Sequence, residues 1–146
     1  MIDIVQFKPE HLLSIELQPA QSMWRERIIS GKQTNIISLP GLAFSGIDGN
    51  KVVGASGFVP QWEGRMIAWA LLSPKIPKMA WVQIARKTKL EMVKHLANGT
   101  RRIEATVPVG FDQGIRYAEL LGFKREALMK SYQPDGSDAY LFACVR

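Results

Sequence analysis

The chain is poor in cysteine, in glycine through its middle, and in long apolar runs. With one cysteine among 146 residues it cannot close an internal disulfide. Cys144 lies in the apolar run AYLFACVR, where a thiol behaves as a small buried hydrophobe rather than a nucleophile. A reducing, cytoplasmic setting fits that usage. No stretch approaches the roughly 18 consecutive apolar residues of a membrane span. The N-terminus has no signal-peptide hydrophobic region either, so no membrane partner is expected. Repeats, low-complexity tracts and long linkers are missing, and residues 1–146 read as a single domain large enough for a real core. No group of His, Cys, Asp and Glu has metal-ligand spacing. His11 and His95 stand in expected helices among charged or polar neighbours, and no Ser/His/Asp constellation is supported.

What is present is positive charge. Lys and Arg number 19 against 13 Asp and Glu, a formal net charge of +6. That balance favours polyanionic partners: phosphate-bearing cofactors, nucleic acid or acidic proteins. Lys75, Lys78, Arg86, Lys87, Lys89 and Lys94 fall close together, with Glu91 the only acid among them. The plainer reading of such a run is a solvated helix face. Nucleic-acid binding ranks last, because no recognised motif and no basic-aromatic alternation accompany the charge.

Hydrophobic periodicity places the elements. IDIVQF (2–7) alternates as a strand does. KPEHLLSIELQ reads as a helix starting at Pro9, with Leu12, Leu13 and Ile15 to Leu17 on its apolar face and Pro19 as its breaker. AQSMWRERIISG reads as a second short helix ending at Gly31. The Gly49-Asn50 pair between GLAFSGID and KVVGASGFV is a hairpin turn, and GRMIAWALL is a third strand. A long helix runs from about Met79 to Ala97, closed by Gly99. RRIEATVPV is a strand, FDQGIRYAELLG a helix ending at Gly122, and FKREALMKSY with DAYLFACVR a hairpin around QPDGS. The order β-α-α-β-β-β-α-β-α-β-β is an α+β architecture: a mixed, mostly antiparallel sheet of six to seven strands with helices on both faces.

The stretch LLSPKIPKMAWVQIAR (71–86) is where chemistry is expected. An apolar strand ends there and a basic helix begins, and unpaired N–H groups with the helix dipole make such a junction a phosphate site. Loops of this kind use glycine for close backbone approach, yet none lies between Gly64 and Gly99.

The element order resembles that of the GNAT superfamily of acetyl-coenzyme A-dependent N-acyltransferases over nearly the whole chain. The local match is best in GIRYAELLGFKREALMKSYQPDGSDAYLFACVR (114–146): a helix with the Ile115-Arg116 pair, the corner Leu121-Gly122-Phe123, and a closing hairpin. Short GNAT-like proteins of tailed bacteriophages are similar in this compact layout. The resemblance implies a loop over Ser73 to Val82 that cradles the coenzyme A pyrophosphate, with Leu72 at the strand end. Lys75 and Lys78 would supply charge, and the N–H groups around Met79, Ala80 and Trp81 would cap the phosphates. Counted from Pro74, Pro77 takes the usual Arg or Gln place, and Lys78, Ala80 and Val82 stand where the family has glycines, so the pattern is degenerate. The position of the family's acid, a tyrosine four residues before the corner glycine, is Ala118; Tyr117 is adjacent, about 100° around the helix. Phe111 is the nearest match to a frequent asparagine.

For the base that takes the amine's proton the sequence offers Glu63 and Glu104, each of which reads more simply as a solvent-facing carboxylate or an ion pair. Two functions therefore stand. One is transfer of acetyl from acetyl-CoA to a small-molecule or peptide amine, entering beside the helices at Pro9 to Ser30. The other is a catalytically inactive scaffold that binds a protein partner, with Trp24, Trp62, Trp69 and Trp81 as candidate anchors.

Overall fold

The computed structural model describes residues 2–23, 25 and 41–146. Strands β1 (Asp3–Gln6), β2 (Ala43–Asp48), β3 (Lys51–Trp62), β4 (Arg65–Leu72), β5 (Arg102–Pro108), β6 (Lys124–Met129) and β7 (Ala139–Val145) form a sheet in the order β1-β2-β3-β4-β5-β7-β6. Among the described residues the α-helices with known bounds are α1 (His11–Ser14), α2 (Lys78–Ala97) and α3 (Asp112–Leu120). The β4–β5 pair is parallel, whereas β1–β2, β2–β3, β5–β7 and β6–β7 are antiparallel. This is the expected α+β sheet, with seven strands.

Two compact units divide the chain. The first comprises Met1–Val59 and Trp69–Thr88, the second Pro60–Ala68 and Lys89–Arg146. In the first unit, alternation sends neighbouring residues to opposite faces of the sheet. Val53 and Leu72 join Ile2, Phe44, Ala80 and Ile84 in a cluster that includes α2. Val52 and Leu71 join Leu12, Ile15 and Trp69 in another, which includes α1. Covered on both faces, β2 and most of β3 are buried continuously, and their apolar pattern is a run rather than an alternation.

The approach of α2 is made by glycine. Gly46 and Gly54 face each other across β2 and β3. A Cβ on Gly54 would lie 2.7 Å from Ile84 Cδ1, and one on Gly46 2.9 Å from the same atom. The missing side chains form the notch that Ile84 fills.

In the second unit β5 and β7 pair along their whole length, from Arg102↔Val145 to Pro108↔Ala139. The corner after α3 is a full Schellman motif: Gly122 N–H bonds Glu119 O at 3.0 Å and Phe123 N–H bonds Ala118 O at 3.1 Å. Gly122 has φ +99, and Phe123 is buried, as the LGF corner implied.

Two expectations need correction, the helix from Pro9 and the burial of Cys144. The helix from Pro9 is a single turn, because the chain turns extended at Ile15 (ψ 134). That lets Ile15 and Leu17, two residues apart, pack against one cluster, which a helix forbids. Gln18, preceding Pro19, is extended for the steric reason that precedes any proline. Of the second short helix, Ser22, Met23 and Arg25 are helical, and the rest, with Gly31 and Trp24, lies outside the described residues. Cys144 is half-buried rather than buried.

Candidate functional site

The junction singled out in the sequence lies wholly within the first unit. β4 ends at Leu72, whose Cδ2 packs 2.9 Å from where a Gly54 Cβ would be. Ser73 is buried, and its N–H bonds Val53 O at 2.9 Å, so the loop leaves the sheet from a fixed point. Its hydroxyl accepts the Lys75 N–H at 3.2 Å and its carbonyl the Ile76 N–H at 3.1 Å. The turn is thus organised by the hydroxyl and carbonyl of Ser73.

Helix α2 then starts at Lys78, and the first backbone bond into it is Trp81 N–H to Pro77 O at 3.0 Å. Pro77 has no N–H to satisfy. The N–H groups of Lys78, Met79 and Ala80 have no acceptor among the described residues, as the first turn of a helix dictates. No acidic residue occupies that first turn. Met79 is exposed and Ala80 buried in the α2 cluster, so the small side chain at 80 serves the core. Trp81 is half-buried. Val82 stands in the second residue row of the helix, where its N–H belongs to the helical ladder. Lys75 is 82% exposed and reaches Glu16 at 3.8 Å, a loose surface pair.

The parallel β4–β5 ladder runs Arg65↔Arg102, Met66↔Ile103 and Ile67↔Glu104, within the second unit. In the first unit the Ala70 carbonyl accepts a side-chain bond, from Gln21 Nε2 at 2.9 Å.

The acid and base candidates belong to the second unit. Glu104 takes two bonds from Arg65, Nε at 2.8 Å and Nη2 at 2.7 Å, and a third from Arg102 Nε at 2.6 Å. Its side chain is 12% exposed. The hydrogen bonds from Arg65, then those from Arg102, hold its carboxyl at about 2, against the cost of burial. Arg102 turns its other nitrogens on Glu126 (Nη1 to Oε2, 2.9 Å), and the Arg65 guanidinium lies 4.4 Å from the Trp62 ring centre. Glu63 is exposed in the β3–β4 turn, where its carbonyl accepts Arg101 Nη2 at 3.4 Å. Tyr117 is 6% exposed on the inward face of α3, beside the equally buried Ala118. Phe111 caps the start of α3, and its ring occupies the space over Gly114, where a Cβ would meet Phe111 Cδ2 at 2.6 Å.

The structure thus brings Leu72, Lys75, Lys78, Met79, Ala80 and Trp81 to one strand–helix junction. Glu63, Glu104, Tyr117 and Phe111 fall in the other unit, each in a different local setting. The sequence reading missed Gln21 and Arg25, which lie in a stretch read only as helix. No group of three or more potential metal ligands occurs among the described residues.

No family model matches the chain, and no curated protein matches it either. Solved structures do. Ard1 from Thermoplasma volcanium is 17% identical, with a TM-score of 0.74 over 99% of this chain and 97% of that one. A GNAT-family acetyltransferase from Bacillus anthracis is 18% identical, with a TM-score of 0.68 over 99% and 94%. A GNAT-family acetyltransferase from Elizabethkingia anophelis, solved with acetyl-CoA bound, is 11% identical, with a TM-score of 0.66 over 99% and 98%. At these identities the likeness is one of architecture, and the chain has the mixed, seven-stranded fold of GNAT acetyltransferases.

Proposed function

We propose that the protein is a GNAT-type N-acyltransferase that moves an acetyl group from acetyl-CoA to an amine. The observation that carries this reading is the start of α2. Three N–H groups with no acceptor among the described residues, at Lys78, Met79 and Ala80, stand just after β4 with the helix dipole behind them and no acid in the helix's first turn. Leu72, Lys75 and Trp81 complete the phosphate-holding junction. The fold likeness, which includes a relative holding acetyl-CoA, supports the same cofactor here. The loop departs from the family's glycine pattern, and the hydroxyl and carbonyl of Ser73 organise its turn.

The resemblance supplies acetyl-CoA, whose thioester is attacked by the acceptor nitrogen; coenzyme A thiolate leaves and the amine loses a proton. This chain contributes chiefly positioning, which alone lowers a bimolecular barrier substantially. Of the proton-transfer candidates, Glu104 is the least suited to act as base. A carboxyl held near 2 by two guanidiniums takes a proton reluctantly, and its work is to tie β4 to β5. Glu63 is open to solvent and fits proton uptake better. Tyr117, buried on α3 beside the position the family gives its acid, is the candidate for the acid role, with Phe111 at the head of the same helix.

A second reading, a catalytically inactive GNAT-fold protein that acts as a protein-binding or phage-associated structural module, draws support from two observations. Lys75 is turned toward Glu16, and Trp62 is 64% exposed at a hairpin tip. One titration separates the two. Acetyl-CoA titrated into the protein by calorimetry is expected to bind in the micromolar range, and Lys78→Glu is expected to weaken it at least ten-fold by reversing charge at the helix start. Silence up to millimolar cofactor would give the module reading preference, and unchanged affinity in Lys78→Glu would remove the junction as the phosphate site.

A further inference from the structure

Three buried polar atoms of the first unit have no hydrogen-bond partner among the described residues: Gln21 Oε1, Arg25 Nη2 and Trp69 Nε1. Each costs about 1–3 kcal/mol if left unmade, so their occurrence together calls for an explanation. They belong to one corner of the fold. Arg25 Nε donates to Leu12 O at 3.0 Å, and Leu12 shares a hydrophobic cluster with Trp69. Gln21 Nε2 donates to the carbonyl of Ala70, the residue after Trp69, at 2.9 Å. That bond also fixes the amide's orientation, because only its nitrogen can face a carbonyl. The Trp69 ring itself is held between Phe7, 5.2 Å away edge-on, and Gly57, whose missing Cβ would sit 2.8 Å from Trp69 Cζ2.

We propose that this corner recognises the carboxylate of an amino-acid acceptor, an inference that rests on the transferase reading above. The donor set is an indole N–H and a guanidinium N–H, and the acceptor is an amide oxygen. A ligand that satisfies all three offers an anionic oxygen pair and an N–H group within one small molecule. A carboxylate suits the guanidinium best, since a charge-assisted bond is about twice as strong as a neutral one. The indole N–H donates to the second oxygen, and Gln21 Oε1 accepts a hydrogen bond from the ammonium group. A polyamine would leave both donors unpaired and bring a cation to Arg25. The amide of a peptide would satisfy the indole but not the charge.

The test uses chemical triads that differ only at the carboxyl group: L-leucine, L-leucinamide and 3-methylbutylamine, and L-phenylalanine, its amide and phenethylamine. Binding to the whole protein is measured by calorimetry without cofactor, and turnover by thiol release with acetyl-CoA. The free amino acids are expected to bind at least ten-fold more tightly than the amide and the amine. Arg25→Gln and Trp69→Phe are each expected to lose that preference. Trp69→Phe keeps an aromatic ring against Phe7 and Gly57, so it remains informative if Arg25→Gln does not fold. An amide bound as tightly as the acid would assign the corner to a peptide terminus and overturn the proposal. So would an amine bound more tightly, a preference untouched by both variants, or no binding by any member, which would leave a buried water as the occupant. Selective binding of amino acids by a protein that does not bind acetyl-CoA would sink the transferase reading and leave the carboxylate corner standing. Acetyl-CoA binding without selectivity would do the reverse.

Discussion

Single residues set how closely the layers of the first unit approach. Gly54 is the sharpest case, because an added Cβ would stand 2.7 Å from Ile84 Cδ1 and 2.9 Å from Leu72 Cδ2. Ile84 is fully buried, so its terminal methyl has nowhere to swing. Overpacking of this kind costs about 1–3 kcal/mol, and Gly54→Ala is expected to lower the free energy of urea unfolding by that amount. Ile84→Val removes the very methyl that clashes, so Gly54→Ala made in that background should cost distinctly less than in the parent. A double-mutant cycle reads the difference as a coupling energy. Additive costs would mean that Gly54 is required for its backbone and not for the notch. Nothing in the sequence distinguished this glycine from Gly99 or Gly122, which serve helix ends. A strand glycine shows its purpose only when the helix that presses on it is in place.

At the scale of elements, the second unit is tied by charge across three strands: Arg65 on β4, Arg102 and Glu104 on β5, and Glu126 on β6. Glu104 holds a carboxyl depressed to about 2 from an ordinary 4.5, chiefly by its bonds from Arg65. A group whose pKa is lower folded than unfolded stabilises the fold fully above its unfolded pKa and loses that contribution as pH falls through the folded one. Glu104 therefore contributes throughout neutral pH, and its share drains away between about 4.5 and about 2. Glu104→Gln is expected to destabilise the protein at pH 7 by about 1–3 kcal/mol, since it leaves two guanidiniums short of an anion. The gap between wild type and variant should narrow as pH falls below about 4.5 and close only at about pH 2. A gap that stays constant with pH would mean that packing, not charge, sets the cost. Strands and the two longer helices were legible in the sequence because apolar runs or alternation bounded by turn residues, and the pattern around Met79 to Ala97, are local signals. Helix α1 was not, because Ile15 and Leu17 satisfy a tertiary cluster that the sequence does not display. The clamp was half legible. Glu104 lies on the polar register of its strand, but Arg65 and Glu126 reach it through pairings between distant strands. Gln21 and Arg25 were illegible for the same reason.

Across the whole molecule the surplus of positive charge, +6, is what an anionic cofactor meets first. The proposed phosphate junction adds little charge that is held rigidly. Its lysines are exposed, with Lys75 mostly in solvent and only loosely paired to Glu16, while its backbone contribution is the helix dipole and three N–H groups. These two contributions respond differently to salt. Attraction between exposed charges fades as the Debye length shrinks from about 10 Å at 0.1 M to about 3 Å at 1 M. Hydrogen bonds from N–H groups that touch the phosphate are screened much less. Acetyl-CoA affinity is therefore expected to fall several-fold over that range of sodium chloride and then level off, without vanishing. Calorimetric titrations at four salt concentrations measure this directly. Ligand-induced stabilisation of the fold should track the same curve, because it grows with the logarithm of cofactor concentration over Kd. An affinity independent of salt would take Lys75 and Lys78 out of the site and leave the helix start alone to hold the phosphates. An affinity that collapses to nothing at high salt would do the opposite, reducing the junction to a patch of surface charge and removing the strongest physical reason for reading this chain as a transferase.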